Sequence, residues 1–142
     1  MSCVGFLSPG QRAALAASSA AGPPLSAFAS PPASPGKTAR VARLAVSPDP
    51  RIRESAALSH RASYDVLAGL AGDREVGVRC CVARNPLTTS VLLAGLALDA
   101  APTVRAWAAA HPAVAPEDLA RLGADPDPTV RTVVAWARGW SR

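Results

Sequence analysis

Aromatic side chains are scarce in this chain: its 142 residues include three Trp, two Phe and one Tyr. Lysine is scarcer, with Lys37 alone beside 14 arginines. That skew, in a chain dominated by Ala, Gly, Pro and Arg, is what a GC-rich bacterial genome produces. The three cysteines, Cys3, Cys80 and Cys81, are odd in number and two are adjacent, which excludes a fully paired secretory disulfide framework. No apolar run reaches the roughly 18 residues that a membrane-spanning helix needs. The N-terminus has no charged segment ahead of an apolar one. A soluble, cytoplasmic chain of one domain at most is therefore expected.

Acidic residues are missing from the first 43 positions, which hold Arg12, Lys37, Arg40 and Arg43 and so carry +4. Residues 44 to 142 hold 11 basic and 10 acidic residues, a balance of +1. A net positive chain invites a nucleic-acid reading. Here the excess sits in the leader, and the remainder is nearly neutral.

An internal repeat organises that remainder. Ile52-Arg53, Val78-Arg79, Val104-Arg105 and Val130-Arg131 recur every 26 residues. The same spacing aligns Leu44, Leu70, Leu96 and Leu122, then Ala57, Ala83, Ala109 and Ala135, and Leu67, Leu93 and Leu119. A period of this length is the signature of stacked supersecondary units. Three units are delimited, 44–69, 70–95 and 96–121, followed by a partial unit, 122–142. Residues 33–43 form a half-unit cap, with Val41 and Leu44 standing where Leu119 and Leu122 stand later. Residues 1–32, rich in Ala, Ser and Pro, are read as a flexible leader with one short helix over Arg12 to Ala21.

Each unit predicts two helical segments. The first is clearest over Pro102–Ala110, where Val104, Trp107 and Ala108 make one apolar face. Asp73, Asp99 and Asp125 precede this segment in turn positions. Asn85-Pro86 and His111-Pro112 end it, because a residue before proline avoids the helical region. The second segment spans Val91–Ala97, and Pro116-Glu117-Asp118 opens its counterpart with acids at the positive end of the dipole. Segments of about nine residues are unstable alone. Their stability has to come from stacking on neighbours.

The pattern Leu-Ala-x-Asp-x-x-x-x-Val-Arg-x-x-Val/Ala-Ala-x-Asn/His-Pro, followed by Leu-x-x-Leu, resembles the leucine-rich repeat variant family of bacteria over residues 44–142. The resemblance implies an all-α fold, a short right-handed solenoid in which α-helices alternate with 3-10 or short α-helices, and kinship with HEAT-like repeats. Unit one departs from it at Ser47, where Asp is expected, and at Ser59-His60, where Asn-Pro is expected. Family members with an iron–sulfur cluster carry several cysteines ahead of the array, and Cys3 alone cannot supply four ligands. No cofactor and no metal are expected.

Among candidate sites the arginine column comes first. Arg53, Arg79, Arg105 and Arg131 either pair with Asp73, Asp99 and Asp125 in a structural ladder, Asp49 being a shifted substitute in unit one, or line up as an anion-binding surface. Cys81 shares a register position with Ser55, Trp107 and Val133 and is read as buried packing, while Cys80 is read as more exposed; both are expected to be inert thiols. His60 and His111 have no nucleophile or carboxylate at triad spacing and are read as helix terminators. Glu117-Asp118 are read as helix-opening acids. Trp136 and Trp140, spaced i, i+4, share one face if the last helix runs through Arg138-Gly139. That face is either capped by Trp140 or is an interface, for a partner or for a second copy in a homodimer through the C-terminal end. The expectation is a non-enzymatic interaction or scaffold module with a protein partner and no membrane. The alternative is a nucleic-acid-binding solenoid using the Arg column and the basic leader.

Overall fold

The structure, a computed structural model, describes residues 35–140, with Trp140 described by its backbone alone. The leader assigned to residues 1–32, with the helix expected over Arg12 to Ala21, lies outside the described residues. The described residues contain eight α-helices and no strand: α1 Pro35–Ala45, α2 Pro50–Ala57, α3 Tyr64–Ala71, α4 Val76–Arg84, α5 Ser90–Leu96, α6 Pro102–Ala110, α7 Pro116–Leu122 and α8 Pro128–Trp140. None is long and apolar enough to cross a membrane.

Helix starts follow local chemistry. α2, α4, α6 and α8 begin at positions 50, 76, 102 and 128, and three of these carry proline, whose missing N–H is unneeded in the first turn. The Asp49 carboxylate caps α2 by accepting from the Arg51 amide at 2.9 Å, and the Ser63 hydroxyl caps α3 by accepting from Val66 at 3.3 Å. Asn85 and His111 take extended backbone angles (ψ 125° and 134°) and end α4 and α6. The second segment of each unit is a short α-helix, not a 3-10 turn. Its i to i+4 bonds start at once, from the Leu67, Leu93 and Leu119 amides to the Ser63, Thr89 and Ala115 carbonyls.

Packing follows the 26-residue columns. α2, α4, α6 and α8 each pack on the next, while α3, α5 and α7 lie beside them. Val78, Val104 and Val130 are fully buried, as are Ala57, Ala83 and Ala109. Alanine in the last column lets adjacent helices approach closely, and each fully buried Leu, such as Leu93, contributes about 1.5–3 kcal/mol. α1 packs on α2 and α3, with Val41 buried and Leu44 against the core. Trp107 departs from the expected apolar face. Its neighbours Val104 and Ala108 are buried, but its own side chain is 44% exposed, lying under the Arg84 guanidinium at 4.7 Å. The indole is too large for a column that elsewhere holds Ser55 and Cys81, so it turns outward and stacks under a cation.

Candidate functional site

The arginine column forms a hydrogen-bond ladder between units. The Arg53 Nε and Nη2 donate to the two carboxylate oxygens of Asp73 at 2.7 and 3.0 Å. Arg79 binds Asp99 at 2.6 and 3.0 Å, and Arg105 binds Asp125 at 2.8 Å on both oxygens. Each aspartate lies 20 residues ahead of its arginine, in the following unit. The third nitrogen, Nη1, reaches back to the carbonyls that precede its own helix: Ser47 and Pro48 for Arg53, Asp73 and Arg74 for Arg79, Asp99 and Ala100 for Arg105.

Each aspartate also shapes its own turn. One carboxylate oxygen accepts from the amide two residues on, Glu75, Ala101 and Asp127 respectively, at 2.8–2.9 Å. One side chain thus closes a turn and clamps the preceding unit. Hydrogen bonding from Arg53 holds the Asp73 carboxyl below its ordinary value against the opposing effect of burial, and Arg105 does the same for Asp125. For Asp99 burial is the largest influence and acts upward, yet the bonds from Arg79 and the Ala101 amide outweigh it and leave the carboxyl low. The aspartate hydrogen bonds raise Arg53, Arg79 and Arg105 in turn.

Asp49 is not a substitute partner for Arg53. Arg53 takes Asp73 from the next unit, and Asp49 is left to cap α2. The ladder runs forward, so unit one needs no aspartate of its own: Ser47 occupies that column and supplies a carbonyl, and no arginine stands 20 residues before it.

A second set of contacts between units was not anticipated. The Asn85 Nδ2 donates to the carbonyls of Ala57 and Ser59, the latter at 3.1 Å, while its Oδ1 accepts from Leu87 at 2.9 Å. His111 repeats this with its ring: Nδ1 accepts from the Ala113 amide at 3.0 Å, and Nε2 lies 3.0 Å from the Asn85 carbonyl. With Nδ1 accepting, Nε2 carries the proton and donates, so the tautomer follows from the bonds. The signal in the sequence is the column Ser59, Asn85, His111, whose last two members can accept at one atom and donate at another.

Cys80 and Cys81, the thiols among the described residues, are not joined in a disulfide, and Cys3 lies outside the described residues. Cys81 is buried and Cys80 half-buried, and burial pushes both thiols up, away from the reactive thiolate. His60 is exposed. Asp118 is buried and pairs with Arg121 at 2.7 Å. No group of three metal-ligating side chains comes together among the described residues.

The array changes at α8. The helix runs straight through Arg138-Gly139 to Trp140, where α4 and α6 had turned at Asn85 and His111. Ala137 occupies the Asn/His column, and a cleft of about 650 Å³ lies there between His111, Pro112, Leu119 and Trp136. The Arg138 guanidinium folds over the end of α7, 3.5 Å from the Leu119 carbonyl. It is this arginine, among the described side chains, that caps α7. Trp136 is 52% exposed; the Trp140 side chain lies outside the described residues.

No family model, curated protein or solved structure matches the chain.

Proposed function

We propose that this chain is a short right-handed solenoid of 26-residue helical repeats, of the leucine-rich repeat variant type, that acts as a non-enzymatic interaction module for a protein partner in a reducing compartment. One observation carries the reading. Ala57, Ala83 and Ala109 are fully buried against the next unit, whereas Ala135, in the same column, is exposed beside exposed Arg131 and Trp136. α8 therefore presents to solvent the face that every earlier unit uses for docking, and Trp and Arg are the residues most enriched where binding energy concentrates.

The phosphate-tracking alternative loses its main element, because three of the four column arginines are spent on aspartates. A homodimer through two α8 faces brings Arg131 and Arg138 of each copy against those of the other, which costs repulsion.

The test is recovery of partners on the tagged chain after nuclease treatment, followed by rebinding to Trp136→Ala. A protein held at near-equal stoichiometry, and weakened at least about tenfold by the substitution, supports the reading. Loss of every partner on nuclease digestion, with affinity falling steeply in salt, rejects it in favour of nucleic acid. Sedimentation as a dimer redirects it to self-association.

A further inference from the structure

One column of the repeat stays open in the inner units as well as the outer ones. Leu58 and Arg84 are exposed and Ala110 half-buried although α2, α4 and α6 all have helices stacked on them, and Trp136, at the same register position, is 52% exposed. This face owes its exposure to the direction in which its side chains leave the helix, and it is open wherever a unit stands in the array. Ala110 is the small member of the column. Beside it lies a slot of about 240 Å³, walled by the indoles of Trp107 and Trp136 and lined by Ala83, Ala110 and His111. The Arg84 guanidinium stands at the side of the slot, over the Trp107 ring and 4.7 Å from its centroid.

Arg84 has a ring beneath it and no acid beside it. All 10 acidic residues of the chain lie between positions 49 and 127, and the ion pairs they form leave Arg84 out. Glu54 is the one acid borne by α2, α4, α6 and α8, and its carboxylate is turned onto Gly77 at the start of α4. A guanidinium stacked on an indole keeps its N–H edges free in its own plane, where a carboxylate binds. The stack also fixes the side chain beforehand, so less of its freedom is lost on binding. The neighbouring cations are spent: Arg79 and Arg105 hold aspartates, and Arg138 covers the end of α7.

We infer that the slot between Trp107 and Trp136, with Arg84 at its side, receives an extended segment of the protein partner in which an aromatic side chain stands two residues from an Asp or Glu. The inference rests on the interaction-module reading and names the chemistry of its partner. Two indole walls favour a ring between them. In an extended segment residues i and i+2 project from the same side about 6.6 Å apart, a reach that sets the ring against the indoles while the carboxylate meets Arg84, itself 4.7 Å from the Trp107 ring. Single-stranded nucleic acid also stacks on exposed indoles, but its backbone is held by a run of cations, and the slot offers Arg84 alone.

The test titrates the full chain, labelled with nitrogen-15, with the blocked peptide acetyl-Ser-Phe-Ser-Glu-Ser-amide, in which Glu is the only charge, and with the forms that carry Gln for Glu or Ala for Phe. Binding is expected to move the indole N–H resonances of Trp107 and Trp136 together with the Nε–H of Arg84. Affinity is expected to fall about fivefold with Gln for Glu and at least about tenfold with Ala for Phe. Arg84→Gln is expected to abolish the preference for Glu over Gln while leaving the urea midpoint nearly unchanged, as for other exposed positions. Equal binding of the Glu and Gln peptides by the unaltered chain overturns the inference. So does a preference for Glu that survives Arg84→Gln, or no movement of either indole resonance at about 5 mM peptide. Tighter binding of an oligothymidylate at the same indoles also overturns it and makes the slot a nucleic-acid platform. A protein partner retained undiminished by Arg84→Gln rejects this slot while leaving the interaction module standing; recovery of no protein partner rejects the module and the inference with it.

Discussion

Asp99 is bound from two sides: its carboxylate accepts the Arg79 fork and the Ala101 amide, and its carbonyl accepts Nη1 of Arg105. Asp99→Ala removes the carboxylate and leaves a half-buried guanidinium without its partner, so a loss of about 2–4 kcal/mol is expected in urea unfolding. Arg79→Lys is not conservative here, because an ammonium cannot bridge both oxygens while holding the Asp73 carbonyl. The low carboxyls of Asp73, Asp99 and Asp125 also set a pH dependence. A carboxyl held lower in the folded state than in the unfolded chain binds its proton more readily once unfolded. Its contribution is complete above the ordinary value of about 3.9 and drains away as pH falls through the lowered one. The urea midpoint is therefore expected to drop between pH 5 and pH 2.5, and to drop less in Asp99→Asn; an identical drop in both proteins assigns the acid sensitivity elsewhere. For His111, the amide of asparagine reproduces the ring's acceptor and donor, as Asn85 does one unit earlier. His111→Asn is expected to cost under about 1 kcal/mol, and His111→Ala about 1–2 kcal/mol, because the Ala113 amide then loses its acceptor and the Asn85 carbonyl keeps the Thr88 amide as its remaining donor.

Short helices make capping and propensity count for more than they do in long ones. Gly69 and Gly95 sit inside α3 and α5, and a Cβ added at either meets nothing within 4 Å. Gly95→Ala is expected to raise stability by about 0.5–1 kcal/mol through helix propensity and reduced freedom of the unfolded chain, read as a higher urea midpoint with an unchanged slope. Gly123 differs, because a Cβ there meets the Arg138 guanidinium at 3.0 Å, where that side chain covers the end of α7. Helix starts at proline and stops before proline were legible from the residues alone. What was not legible is that α8 runs on to Trp140: Ala137-Arg138 replaces Asn-Pro or His-Pro, and the missing stop signal has no local substitute that names the helix's new end.

Among the described residues, the middle helices are covered from both sides and α8 from one. Amide exchange is expected to be slowest in α4 and α6, where Val78, Val82, Val104 and Ala108 are fully buried, and markedly faster in α8. Uniform protection across α2, α4, α6 and α8 means that the end is as well held as the centre. The 26-residue period, the alternating helical segments and the pairing of Arg with Asp as one of two readings could be had from the amino-acid order, because each reflects a constraint that recurs at a fixed spacing; the Val, Leu and Ala columns are buried in the middle units, whereas Ile52 and Ala135 at the ends are exposed. The tertiary structure alone decided which aspartate each arginine takes, since a bond spanning 20 residues depends on how one unit lies on the next. It alone made Ser47 sufficient for unit one and turned Asn85 and His111 from helix stops into links between units. A guanidinium is satisfied by what geometry brings within about 3 Å of it, and spacing along a chain does not specify that.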